Sequence, residues 1–439
     1  MARKTSCESK AGESVIFRRL ARNSAYLAGG AVASALFLML AAVLNARSLP
    51  AHDFGLLVLF QSATMMLATL MSFATQQPVI KLGASALADG DLVRLGRIIG
   101  MGLLFDVVAA IAATAAGFAI LAVAHGWIGL RSNQLELAAL FAGSLLFTGY
   151  LTSNGIFRLL DRFGLLSLIQ ALCAAAVLAA TAFLYITHAP FEAYCWAWAA
   201  FYALNGQVPL VAGLYLARQA RIAISVPTGR MGRGDFKTFL AYCWATWGTA
   251  TAETLRSNGD SLLVGAMVSV EAAGIYNVAK QLAGVLRKAN GIYASAMFPE
   301  VSALSSRGEA ESAESVRTRI LLLSAVVGII AIVAAVLLGR FVLVQLFGSR
   351  FEPAYLPLII LTAAAASQLI SHTLSMYVQV YVGPERLFRT YALAIAIFLI
   401  AVIPLTSLFS INGTALAQVL FSIALIYSCH STLRRIGAA

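Results

Sequence analysis

Apolar runs of about 20 residues, separated by short polar segments, recur along the whole chain. At 1.5 Å of rise per residue, such a run crosses a hydrocarbon core of about 30 Å as a helix. The pattern predicts twelve spans in two sets of six. The first set is Asn23–Leu44, Phe54–Ala74, Ile98–Ala124, Leu135–Gly155, Leu165–Ile186 and Ala193–Leu216. The second is Phe239–Met267, with an interruption expected near Ser257–Asp260, then Gly274–Phe298, Ile320–Leu338, Leu356–Tyr377, Tyr391–Phe409 and Thr414–Cys429. Nothing between the spans is long enough to build a soluble domain. The fold class predicted is an all-α polytopic membrane protein.

The boundaries divide the chain into a basic N-terminal segment (1–22), a first bundle (23–217), a basic linker (218–236), a second bundle (237–430) and a short tail (431–439). Within the first segment, Ser14–Arg22 reads either as a short interfacial helix or as a plain basic retention segment. The run from Ala25 to Leu44 is longer than a signal-peptide core and has no convincing cleavage site, so it is read as a retained span. The halves repeat weakly. Leu49 to Gln61 and Ser269 to Lys280 each place an acidic outer turn before a glycine, Gly55 or Gly274, that opens a long span ending near Pro78 or Pro299. Duplicated bundles of this kind hold a substrate path at their interface.

Composition agrees with lipid as the solvent: 60% of the 439 residues are hydrophobic and only 11% charged, against about 25% charged in soluble domains. The charge of +12 is dispersed among short connections with no aromatic-interleaved basic platform, which argues against nucleic acid. With the N-terminus inside, 23 Lys and Arg fall on the cytoplasmic side, and only Arg47, Arg131, Arg340 and Arg350 fall outside. That asymmetry satisfies the positive-inside rule and places both termini in the cytoplasm. Ser305 to Arg317 reads as a solvated inner loop, and Gly383–Pro384 as an inner turn.

The five cysteines are far apart and the five histidines scattered, which suggests neither a disulfide framework nor a metal site. There is no nucleophile elbow, phosphate-binding glycine loop or zinc motif, so no enzyme and no cofactor is expected. The informative departures are charges inside spans, each costing about 2.5–3.5 kcal/mol at mid-bilayer unless it faces protein or water. The seventh span carries Glu253, Arg256 and Asp260 on one helical stripe; the eighth carries Asn277, Lys280, Arg287 and Lys288. Facing a common cavity, two acidic and four basic groups leave a positive surplus suited to a diphosphate, which Arg matches with its planar fork and Lys with a movable charge. Alternatively Glu253, Arg256, Asp260 and Lys280 pair with one another, while Arg287 and Lys288 snorkel to headgroups. Asp106 in the third span either binds a coupling H+ or Na+ or caps or pairs near Arg94 and Arg97. Gln61, Gln76, Gln77, Asn154 and Asn205 either line the cavity or bond across helices.

The residues Asn23–Ser24, Leu49–Pro50 through Phe54–Gly55, Asn258 to Gly265, Ala273 to Lys280, and Phe298–Pro299 before a charged inner loop carry a resemblance in pattern and order. Across nearly its whole length the chain resembles the Wzx-type oligosaccharide-lipid flippases, in the superfamily of multidrug extruders and lipid II flippases. The resemblance implies two six-helix bundles around a central cavity. It implies an undecaprenyl-diphosphate-linked oligosaccharide moved to the outer leaflet by alternating access, with cationic residues of the seventh and eighth spans holding the diphosphate. A polysaccharide polymerase and chain-length machinery are the implied partners, beside membrane lipids. The first half is poor in buried cations, a departure from a symmetric basic cavity. A multidrug extruder would want an acidic or apolar cavity, and a polymerase or ligase a substantial outer loop.

Overall fold

The computed structural model describes residues 29–128, 132–225, 233–287 and 310–435. In the first half, the helices are α1 (Gly29–Ser48), α2 (Ala51–Met71), α3 (Gln76–Ala88), α4 (Leu92–Ile128), α5 (Ser132–Ser144), α6 (Leu151–Leu159), α7 (Phe163–Ile186) and α8 (Phe191–Gln219). The second half holds α9 (Arg233–Met267), α10 (270–287), α11 (Ala310–Phe347), α12 (Tyr355–Tyr381) and α13 (Pro384–Arg434). Ser14–Arg22, Lys288, Phe298 and Pro299 lie outside the described residues.

Among the described residues, nine helices are long and apolar enough to cross a membrane. One of them, α13, is 51 residues long, about twice what a bilayer needs. It reverses at Ser410, where φ is 56° and ψ −138°. Beyond that point Thr414 meets Thr406 at 2.8 Å, the Phe421 and Phe398 rings stand 6.5 Å apart, and Cys429 Sγ lies 3.8 Å from Thr390 Oγ1. The element is therefore an antiparallel pair of spans, and the Ser-Ile-Asn-Gly sequence supplies turn formers at the reversal. Adding that second limb and the more polar α9 and α10 brings the crossings to twelve, and the protein is an all-α polytopic membrane protein.

Three local expectations change. Helix α9 runs unbroken through Ser257–Asp260. A helical Gly259 costs about 1 kcal/mol relative to Ala, and the contacts that Arg256 and Asp260 make with neighbouring helices offset it. Second, the Ser305–Arg317 stretch is not all loop: α11 begins at Ala310, because Ala and Glu favour helix even in a polar run. Third, the second span stops at Met71, and after an irregular turn in which Ala74 has φ 49° the chain continues as α3 with Pro78 in its first turn.

The two halves meet at the N-terminal ends of α2 and α10. A Cβ on Gly55 would land 2.0 Å from the carbonyl oxygen of Val270, and one on Gly274 would lie 3.2 Å from the Gly55 Cα. The glycines heading the two repeat segments thus face each other, so equivalent backbones touch at this closure. Around them, Phe54 packs edge-on against Phe351, His52 Nδ1 and Glu271 Oε1 stand 2.8 Å apart, and Arg47 donates to the carbonyls of Leu346 and Gln345 at the end of α11.

Gly55→Val should force α2 and α10 apart. We expect faster labelling of a cysteine introduced at Ala272, now 9% exposed, by a membrane-impermeant maleimide. Labelling no faster than with Gly55 intact would contradict the closure.

Candidate functional site

Helices α9, α10 and the second limb of α13 bring most of the intramembrane charges into one buried cluster. Arg256, Asp260 and Lys280 are 3%, 1% and 9% exposed. At full desolvation an unpaired charge is untenable, and each of the three has a partner. Lys280 Nζ donates to Asp260 Oδ1 at 2.7 Å and to Ser261 Oγ at 2.9 Å. The Tyr276 hydroxyl donates to Asp260 Oδ2 at 3.0 Å. Arg256 forms a two-bond fork with Glu253 one turn earlier, and its Cζ sits 4.9 Å from the centre of the Phe421 ring.

Gln418 ties the two pairs together. Its Oε1 accepts from Arg256 Nη1, and its Nε2 donates to Asp260 Oδ2 at 3.0 Å and to the Arg256 carbonyl at 2.9 Å. Sequence reading overlooked Gln418, although a single amide in the apolar run Thr414–Cys429 was a visible signal. Glu253 differs from the rest of the cluster. Its side chain is 52% exposed. His372 of α12, also exposed, lies within electrostatic range of both Glu253 and Arg256.

A separate cavity of about 590 Å³ opens between α1, α8 and α10. Lys280, Arg287 and Asn277 line it from one side, with Gln61 and Asn205 opposite. Arg287 lies seven residues beyond Lys280, so both project from one face of α10. The bond recorded for Arg287 goes to the Lys280 carbonyl at 3.3 Å, and no carboxylate pairs with it among the described residues. Within the cluster, Glu253 and Asp260 balance Arg256 and Lys280, and Arg287 bonds no carboxylate among the described residues. Lys288, expected to add to the surplus, lies outside the described residues. The rim is apolar: Val32 and Leu36 of α1 and Val285 of α10 all border the cavity and are exposed toward the membrane. Counting from residue 270, Lys280 and Arg287 lie about 15 and 25 Å along α10.

Not every expected residue reaches this cavity. Arg256 faces the packed seam between α9 and α13 and does not border it. Asp106 lies in the first half, 2% exposed, and meets neither Arg94 nor Arg97. It accepts from Thr75 Oγ1 at 2.6 Å and from the Thr152 backbone N–H at 2.8 Å, while Thr152 Oγ1 reaches Thr75 Oγ1 at 3.1 Å. The carboxylate therefore caps the first turn of α6 and holds the start of α3, pinning two helix breaks together.

The seam and the cavity predict different mutant behaviour. Removing one partner of a buried pair costs about 3–5 kcal/mol. Arg256→Ala should lower the thermal unfolding midpoint of the detergent-purified protein by several degrees, whereas Arg287→Ala should leave it near that of the parent. Equal midpoints for the two variants would contradict the assignment.

The chain matches the family described as "Polysaccharide biosynthesis protein" over residues 20–305. It is 26% identical over 351 residues to the inner membrane protein YghQ of Escherichia coli strain K12, covering 77% of this chain and 95% of that protein. Two solved structures share its fold. One is an inward-facing multidrug resistance transporter of the MATE family (TM-score 0.75, 12% identity, 92% of this chain and 95% of that one). The other is the lipid II flippase MurJ in an inward closed conformation (TM-score 0.69, 12% identity, 93% and 87%).

Proposed function

Because the chain belongs to the polysaccharide biosynthesis protein family, we propose that it moves a lipid-linked, diphosphate-bearing oligosaccharide across the bacterial inner membrane. The observation that carries this reading is Arg287, a cation with no carboxylate partner among the described residues, beside Lys280 in a cavity whose rim is apolar and open to lipid. A substrate with a hydrocarbon tail, an anionic centre and a hydrophilic head needs those surfaces together. The tail stays against Val32, Leu36 and Val285, the diphosphate meets Arg287 and Lys280, and the saccharide occupies the polar interior. The O-antigen, capsule and exopolysaccharide repeat units all have this chemistry.

Both termini lie in the cytoplasm in this reading, the cavity loads from the inner side, and rocking of the two bundles about the α2–α10 contact opens the other side. We assign coupling to H+ or Na+ to Glu253, whose side chain is half exposed, in preference to Asp106, whose oxygens are taken up by Thr75 and Thr152. The multidrug alternative is disfavoured by a cavity whose unbalanced charge is positive. The polymerase or ligase alternative needs a long outer loop, and the described connections on the side read as outer span only two to seven residues, such as 49–50, 187–190 and 348–354.

The test uses proteoliposomes loaded with a fluorescent oligosaccharide on undecaprenyl diphosphate. The parent protein should move the label between leaflets without lengthening the saccharide. Arg287→Ala should slow movement about tenfold or more, as expected for a lost charge-assisted contact of 1.5–3 kcal/mol, with Arg287→Lys in between. Parent-like movement by Arg287→Ala, or none by the parent, would overturn the reading.

A further inference from the structure

A second cavity, of about 500 Å³, lies where the turn between α6 and α7 meets the end of α8. It shares no lining residue with the cavity between α1, α8 and α10. Arg162, Tyr215 and Gln219 line it beside Asp161, and Leu165 and Leu216 form its apolar wall. Two matching turns fix the backbone here. Asp161, at φ 57°, ends α6: its N–H donates to the Arg158 carbonyl at 3.2 Å, and that of Arg162 to the Phe157 carbonyl at 2.8 Å. Arg221, at φ 56°, ends α8 in the same way, with its N–H on the Arg218 carbonyl and that of Ile222 on the Ala217 carbonyl, both at 3.0 Å.

The charge at this place is one-sided. Arg162, Arg218 and Arg221 are exposed and none of them forms an ion pair among the described residues, whereas Asp161 has an interaction of its own. The apolar wall continues beyond the cavity. Leu165, Leu168 and Leu172 follow one face of α7, and Val208, Val211 and Tyr215 one face of α8; all six are exposed. The two helices are antiparallel across the 187–190 connection, so both stripes lead away from the cavity along the outside of the bundle, for about 10 Å each. Cations at one end of an apolar, lipid-facing surface match a molecule with an anionic head and hydrocarbon chains. Tyr215, with an apolar ring and a polar tip, suits the boundary between the two.

We infer that this cavity binds the headgroup of an anionic phospholipid, with Arg162 on its phosphate, Tyr215 and Gln219 on its remaining oxygens, and its acyl chains along the two stripes. Charge complementarity selects this occupant. A zwitterionic lipid would bring an ammonium group to the arginine surplus, and a soluble phosphate would leave the stripes unused. The site lies on the outside of the first bundle, apart from the cavity assigned to transport, and does not rest on the flippase reading. A lipid seated there touches the ends of α6, α7 and α8 together.

The test is native mass spectrometry of the detergent-purified full-length protein, titrated with dioleoyl phosphatidylglycerol or with dioleoyl phosphatidylethanolamine. The parent should bind the first about tenfold or more tightly than the second, as expected of one charge-assisted contact. Arg162 is exposed and makes no side-chain capping bond, so Arg162→Ala should fold as the parent does and lose most of that preference. Arg389→Ala removes an exposed arginine of α13, in the second half, and should keep the preference within about twofold. Tyr215→Phe, which keeps the ring, should weaken phosphatidylglycerol binding about threefold. Equal affinity for the two lipids, equal losses in Arg162→Ala and Arg389→Ala, or parent-like binding by both Arg162→Ala and Tyr215→Phe would overturn the site. Displacement of phosphatidylglycerol by glycerol 3-phosphate at equal concentration would overturn the lipid in favour of a free phosphate.

Discussion

The function proposed for this protein depends on how Asp260 is satisfied. A carboxylate 1% exposed within a bilayer-spanning fold must collect donors, and it does so from three elements: Lys280 and Tyr276 of α10, Gln418 of α13, and Ser261 next in its own helix. That collection fixes the rotation of α9 against α10 and spends the charge of Lys280. Arg256 is spent likewise on Glu253 and Gln418. Arg287, two turns along the same face of α10, bonds the Lys280 carbonyl and no carboxylate among the described residues, and in the proposed reading its charge is what the cavity offers a ligand. The residue that gives the cavity its net sign is thus defined by pairing elsewhere.

The second constraint is the backbone contact at the N-terminal ends of α2 and α10. Gly55 and Gly274 permit an approach that any side chain would block, and the approach joins corresponding points of the two repeat segments. Six residues further along each helix, Gln61 and Lys280 border the same cavity. Closure at one end and a shared pocket further along are two consequences of one geometry. Asp106 complements this in the first half, where it clips the starts of α3 and α6.

Much of this was legible in the residues because lipid imposes a simple code. Span positions followed from apolar run length, the reversal at Ser410 from the gap between the last two spans, and membership of the polysaccharide biosynthesis protein family from pattern and order. The charges of α9 and α10 stood out against that code. What their spacing could not convey was the partner of each: a stripe of Glu253, Arg256 and Asp260 looks the same whether it faces a cavity or a seam. The deciding residue, Gln418, lies 158 positions from Asp260, beyond any local pattern. The break expected at Ser257–Asp260 failed for the same reason, since weak local propensity gave way to distant tertiary contacts. The Asp106 cap was equally hidden, because its donors are a threonine hydroxyl and a backbone N–H that no composition marks.

The most direct measurement is an electron cryo-microscopy structure of the protein in nanodiscs with undecaprenyl diphosphate. The account predicts phosphate density within about 4 Å of the Arg287 guanidinium, in the space between α1, α8 and α10, with Asp260 still bound to Lys280. Phosphate bound away from that cavity, or Arg287 turned onto a carboxylate of the protein, would contradict it.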